Sequence, residues 1–140
     1  MSAPSRRTHI LLIDDSRLWL AMLRVYLAPF DVHVHEAQSG AWALQVLTTV
    51  VPDAVIVDYN LGWEMDGEQL VRTIRSHHNQ AVAALPVMMF SGDERARMKA
   101  LDAGVNTFIT KPIDHHSFVS ALEHLLPRLR ESTLLGVRTA

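Results

Sequence analysis

Five short apolar runs, each followed by a stretch with helical spacing, constrain this chain more than any other feature. The runs are "HILLI" (His9 to Ile13), "VHVHEA" (Val32 to Ala37), "AVIVD" (Ala54 to Asp58), "VMMFS" (Val87 to Ser91, opened by Pro86) and "NTFIT" (Asn106 to Thr110). Between them, apolar residues recur every three or four positions, as on one face of a helix. Ser16 offers a cap for Trp19, Met22, Leu23, Tyr26 and Leu27, a stripe that stops before Pro29. Ser39 caps a second helix with Leu44 and Leu47, closed by Pro52-Asp53. Asp66-Gly67 leads into Leu70, Val71 and Ile74. "HHNQAVAAL" reads as a loop, and Glu94 to Ala103 as a short helix ended by Gly104. Asp114 caps a last helix bearing Phe118, Leu122, Leu125, Leu126 and Leu129, in which Pro127 predicts a kink or an early stop. "AVIVD" is continuous β-branched sequence, suited to a strand covered on both faces. "VHVHEA" alternates with period two, and could also include an edge position. Five strands alternating with five helices predict an α/β fold with a parallel sheet between two helical layers. Right-handed crossovers leave few topologies.

The length, 140 residues, suits one domain with a proper core. Hydrophobic residues are 49% and charged residues 20% of the chain, an ordinary globular balance. Net charge is -2 from 13 basic and 15 acidic residues, so no nucleic-acid or membrane partner is expected. Without cysteine, disulfides and thiolate metal sites are excluded, which fits a reducing cytoplasm. "MSAPSRRT" is followed by no apolar signal core, and no run reaches membrane-spanning length. The expected organisation is an extension over 1–7, one domain over 8–130 and a tail or linker onset over 131–140, in a cytoplasmic protein.

Strand ends gather the polar chemistry. Asp14 and Asp15 close the first run, Asp58 the third and Ser91 the fourth, and Lys111 follows the fifth. Burying a carboxylate is costly, but in an open parallel sheet these carboxyl ends share one edge, where such folds hold ligands. The carboxylates are therefore expected at the rim of the core. Three of them together repel one another unless a cation joins them. Oxygen-only ligands favour a hard ion, and Mg²⁺ suits a site with few protein ligands and several waters. A backbone carbonyl just after Asp58, such as that of Asn60, would complete the set. With the Lys111 ammonium and the Ser91 hydroxyl alongside, the set has the parts of a phosphoryl-transfer site with a carboxylate nucleophile. An Asp ending a strand ordinarily only begins a turn; five suitable residues in strand order point beyond that.

"LLIDDS", "VIVDYNL…MDG", "VMMFSG" and "NTFITKP" resemble the signature blocks of the receiver domain of two-component response regulators, and the resemblance runs from about Thr8 to Leu126. It implies a flavodoxin-like fold of five strand–helix units with sheet order 2-1-3-4-5. It implies that Asp58 accepts a phosphoryl group from a sensor histidine kinase or a histidine phosphotransfer protein. Asp14, Asp15, Asp58 and the Asn60 carbonyl would hold Mg²⁺. Ser91 is the switch hydroxyl, Phe108 the switch aromatic, and Lys111-Pro112 matches a Lys-Pro whose bond is usually cis. The chain would be no conventional enzyme, catalysing only its own aspartyl phosphorylation and dephosphorylation. On phosphorylation, Ser91 should move toward the phosphoryl group and Phe108 rotate inward. That reshapes the face of the fourth helix, fifth strand and fifth helix, which a downstream protein or second copy reads. The stretch from Asp58 to Asp66-Gly67 departs from the family by one extra residue and by "GWE" in place of a proline. This leaves Trp63 either over the site or on the surface. Residues matching Asn60 and Asp93 tune the lifetime of the aspartyl phosphate.

Leu18, Ala21 and Val25 form a second apolar row on the first helix, either a docking face for a kinase, a phosphotransfer protein or another copy, or scattered surface residues. Of eight histidines, His33 and His35 share a strand face, and His77-His78 and His115-His116 are pairs. The expected topology scatters them, so surface histidines rather than a metal cluster are expected. No output module follows the fifth helix, so a stand-alone switch is the leading expectation. The alternative is a fragment of a larger regulator with a DNA-binding or enzymatic domain. An adaptor that has lost the chemistry is disfavoured, because all five key residue types are present. An Asp-nucleophile phosphohydrolase needs a second Asp two residues on, where this chain has Asn60.

Overall fold

A computed structural model describes residues 7–62 and 64–129. Its elements run β1 (Thr8–Ile13), α1 (Arg17–Leu27), β2 (Val32–Ala37), α2 (Gly40–Val46), β3 (Ala54–Asp58), α3 (Gly67–Arg75), α4 (Gln80–Ala83), β4 (Val87–Ser91), a 3₁₀ turn (Glu94–Ala96), α5 (Arg97–Ala103), β5 (Thr107–Thr110) and α6 (His115–Leu125). All strand pairs are parallel, in the order β2-β1-β3-β4-β5. This is the flavodoxin-like order expected, with β2 and β5 at the edges.

Strand alternation divides the core in two. Leu11, Ile13, Val55, Val57 and Met89 point to one side and pack with Ala43, Leu47, Leu70, Ile74, Val82 and Ala100, which belong to α2 through α5 and their flanks. Ile10, Leu12, Ile56, Met88 and Phe90 point to the other and pack under α1 and α6, against Leu20, Leu23, Leu27, Phe118 and Leu122. Every residue of β3 and β4 is buried, because both faces are covered.

The caps follow the sequence closely. Ser16, Ser39, Asp66 and Asp114 each accept a backbone N–H of the helix they precede, and Asp66 and Gln69 form a reciprocal capping box. Gly104 ends α5 at φ 111°, in the left-handed region that favours glycine. α6 stops at Leu125, ahead of Pro127.

Three local readings need correction. Leu20, absent from the expected stripe of α1, is buried, whereas Trp19, Met22 and Tyr26 are only partly so; an apolar run on all sides of a helix hides its true phase. The segment read as a loop contains α4, capped by Asn79 and anchored by buried Val82 and Leu85. Four residues are too few to show a period. Arg75, at the end of α3, holds this region by donating to the carbonyls of Ala83, Leu85 and Gly104 at 2.7–3.0 Å and to Asn106 Oδ1 at 3.0 Å.

The third correction concerns histidine. The in-register pairing of β1 with β2 sets His9 opposite His33, so His9, His33 and His35 converge on one sheet face. Along the chain only the β2 pair is visible, because the partner strand's register is not written there. Burial, then the neighbouring His33 and His9, hold the His35 pKa below its usual 6.5. No helix among the described residues is long and apolar enough to cross a membrane.

Candidate functional site

β1 and β3 deliver their terminal carboxylates to one edge of the sheet. Asp14 follows β1, and its N–H donates to Ala37 O at 3.1 Å, which fixes the turn against the end of β2. Asp14 Oδ1 accepts from Ser16 N at 2.9 Å, so the same turn that orients the carboxylate launches α1. Asp58 is the last residue of β3, and its Oδ1 accepts from Asn60 N at 3.2 Å. One oxygen each from Asp14, Asp15 and Asp58 falls within 4.8 Å of the others.

These carboxylates lie deeper than the rim expected for them. Asp14 is 1% exposed and Asp58 6%, and only Asp15 faces solvent. Asp14 Oδ2 is buried without a hydrogen-bond partner. Burial, opposed in part by the Ser16 N–H and reinforced by the charge of Asp58, raises the Asp14 pKa from 3.8 to about 7. An orphaned carboxylate oxygen facing two further carboxylates suits a hard cation, whose charge would offset theirs. The all-oxygen donor set suits Mg²⁺.

On the other side of Asp58 stands Lys111. Its Nζ donates to Asp58 Oδ2 at 3.0 Å and lies 4.3 Å from the centroid of the Trp19 ring. The indole face steers the ammonium toward the carboxylate, a cation–π contact. Trp19, expected in the core stripe of α1, thus also meets the site; an aromatic on the first turn after the acidic pair is the one signal of this in the sequence. Lys111 also precedes a cis peptide to Pro112, and its N–H donates to Ser91 O at 2.8 Å, tying the end of β5 to that of β4.

Ser91 is 1% exposed. Its Oγ accepts from Asp93 N at 3.0 Å and lies 3.3 Å from Asp93 O. Phe108 is already buried, 6% exposed, with the Arg97 guanidinium 4.9 Å over its ring and Arg97 Nη1 donating to Phe108 O at 3.2 Å. Glu94 binds both Arg97 and the Thr110 hydroxyl, so the 3₁₀ turn, α5 and β5 are joined above the ring. Beneath the site, Gly67 lies so close to β3 that a Cβ there would stand 2.5 Å from Asp58 O and 2.9 Å from Tyr59 Cα. The expectation for Trp63 lies outside the described residues.

Comparison with known proteins agrees with this geometry. The family model for the response regulator receiver domain matches residues 10–123. The transcriptional regulatory protein GltR of Pseudomonas aeruginosa is 33% identical over 138 residues, covering 97% of this chain and 55% of GltR. The chain thus spans about half the length of that curated relative. Among solved structures, a putative response regulator from Chloroflexus aurantiacus superposes with a TM-score of 0.80 at 30% identity, over 87% of this chain and 99% of that one. The receiver domain of the sensor histidine kinase PA1611 from Pseudomonas aeruginosa, solved with a magnesium ion in its active site cleft, shares the fold at a TM-score of 0.75 and 22% identity, over 86% and 98% of the two chains. With the sheet order, the acidic edge and a family match across both, this chain belongs to the response regulator receiver domain family, the phosphoacceptor module of two-component signalling.

Proposed function

We propose that Asp58 is the phosphoacceptor and that the chain works as a Mg²⁺-dependent, phosphorylation-controlled protein switch. The observation behind this reading is the placement of Asp58 between a cationic lysine, 3.0 Å away, and two further carboxylates whose oxygens lie within 4.8 Å. Asp14, Asp15, Asp58 and the backbone carbonyl of Asn60 would hold Mg²⁺, which when bound neutralises phosphoryl oxygens. A carboxylate oxygen of Asp58 attacks phosphorus while the bond from phosphorus to the donor's imidazole nitrogen breaks; the electron pair leaves on the imidazole, and the product is an acyl phosphate. Lys111 shifts its ammonium from carboxylate to phosphoryl oxygen over a short path, guided by Trp19. Hydrolysis by water returns the carboxylate and releases phosphate, so the chemistry concerns the chain's own Asp58.

Ser91 must turn its hydroxyl proton away from Asp93 O, 3.3 Å away, to donate it to the phosphoryl group. Because Phe108 is already inside, the change at the signalling face rests on Ser91, the Asp93 turn and the Glu94–Arg97–Thr110 cluster above the ring, on the surface of α5, β5 and α6. Phosphoryl donors are a sensor histidine kinase or a histidine phosphotransfer protein, and the reader is a downstream protein or a second copy. The outer row of α1, with Leu18 82% and Val25 68% exposed, is the candidate donor-docking face.

Intact-mass spectrometry after incubation with a small phosphodonor and Mg²⁺ tests the assignment. One hydroxylamine-labile phosphoryl group per chain is expected, lost in Asp58→Asn and without Mg²⁺. Label retained in Asp58→Asn moves the acceptor elsewhere, and continuous turnover of phosphate esters would mark a hydrolase instead.

A further inference from the structure

On β1 and β2, from the first turn of the pleat to mid-strand, stand three imidazoles that the phosphoryl chemistry does not use. The parallel register pairs His9 with His33 and Leu11 with His35. Period-two alternation therefore sends all three side chains to one face. Their ring centroids are 4.9 Å (His9–His33), 5.2 Å (His9–His35) and 4.6 Å (His33–His35) apart. One ring nitrogen from each falls within 4.8 Å of the others, and His9 Nδ1 and His35 Nε2 are 2.9 Å apart, sharing a proton. Asp53 braces His9 from the side: its Oδ2 accepts from His9 N at 2.7 Å, and its own N–H donates to His9 O at 2.7 Å.

We propose that His9, His33 and His35 form a binding site for a divalent transition-metal ion of the zinc class, with water in the remaining position. Three convergent imidazoles are a borderline-soft donor set that suits Zn²⁺, Co²⁺, Ni²⁺ or Cu²⁺ and not Mg²⁺. Three protein ligands with one open position is a common zinc arrangement. Tetrahedral Zn–N bonds of about 2.0–2.1 Å set nitrogen separations of about 3.4 Å, which the half-buried His9–His35 pair nearly meets and the exposed His33 closes by turning its ring. The ion takes the place of the proton shared by His9 and His35. β2 is an edge strand, so an ion here enters from solvent and ties that edge to β1. His9 is five residues from Asp14 along the strand, about 16 Å, and His35, in register with Leu11, is three residues short of it, about 10 Å, so the imidazole and carboxylate sites are separate and select different metals.

Co²⁺ titration of the untagged chain, in excess Mg²⁺ to fill the acidic site, tests this by visible absorption. Tetrahedral d–d bands that Zn²⁺ displaces are expected. His33→Gln, an exposed position, should weaken binding at least about tenfold, and His35→Gln likewise. His77→Gln/His78→Gln and Asp58→Asn should bind as the parent does. Should His35→Gln fail to fold, His33→Gln still decides. A weak octahedral spectrum, unchanged affinity in His33→Gln, or loss of the signal in Asp58→Asn overturns the site.

Discussion

Replacing Asp14 with Asn should stabilise the metal-free protein, and do so more strongly as pH rises. The reason is the cost of ionising a carboxyl that is 1% exposed, has one oxygen without a partner and faces Asp58. Its pKa is 3.8 ordinarily and about 7 in the fold. Between those values the unfolded chain has released the proton and the native one keeps it. Stability therefore falls as pH rises through that window and levels off above pH 7. Linkage puts the penalty at about 2 kcal/mol at pH 5 and about 4 kcal/mol at pH 8. Asn keeps the acceptor for Ser16 N and carries no charge, so about half or more of the penalty should be recovered, about 2–4 kcal/mol at pH 8. For a domain of this size that is a rise in Tm of about 6–12 °C. Mg²⁺ should relieve the same penalty in the parent chain, with about 2.7 kcal/mol of stabilisation at a hundredfold excess over Kd. The variant should lose most of that response. Thermal and urea unfolding at pH 5 and pH 8, with and without Mg²⁺, measure all four corners. An Asp14→Asn gain equal at both pH values, or a Mg²⁺ response undiminished in the variant, refutes the argument that Asp14 ionisation sets the cost.

Other consequences follow from neighbouring contacts. Lys111→Met removes the ammonium that offsets Asp58 and Asp14, so it should destabilise by about 1–3 kcal/mol, more at pH 8 than at pH 5, in urea unfolding. Gly67→Ala sets a methyl group 2.5 Å from Asp58 O, and neither that backbone nor the Gly67 N–H bond to Tyr59 O at 2.7 Å can yield without moving β3; a loss of at least about 2 kcal/mol is expected by the same assay. Arg75→Met abandons carbonyls of Ala83, Leu85 and Gly104, and should cost about 2–4 kcal/mol with faster amide hydrogen exchange around α4.

How legible each part was depends on the range of the interactions involved. Strands, caps and stops are local: Ser16, Ser39, Asp66 and Asp114 satisfy N–H groups three residues away, and Pro127 acts on its own turn. They could be read directly. Leu20 could not, because Leu18, Trp19 and Leu20 are consecutive apolar residues and only the sheet beneath α1 chooses among them. The depth of Asp14 and Asp58 was hidden for a similar reason: it depends on Lys111 and the turn at Ala37 closing over the edge, not on the residues beside them. Phe108 was found by its spacing from Lys111, but its buried position under Arg97 is a contact between α5 and β5.

Taken alone, the order of residues determined the class of fold, the list of groups available for chemistry and the edge on which they meet, since hydrophobic period and strand polarity are properties of a few neighbouring residues. Tertiary structure decided which of those groups are dry, which are paired and which strangers become neighbours. Trp19 reaches Lys111, and His9 reaches His33 and His35, through pairings that chain order does not state. Burial and register are set by the whole sheet at once, and so too are the electrostatic costs that follow from them.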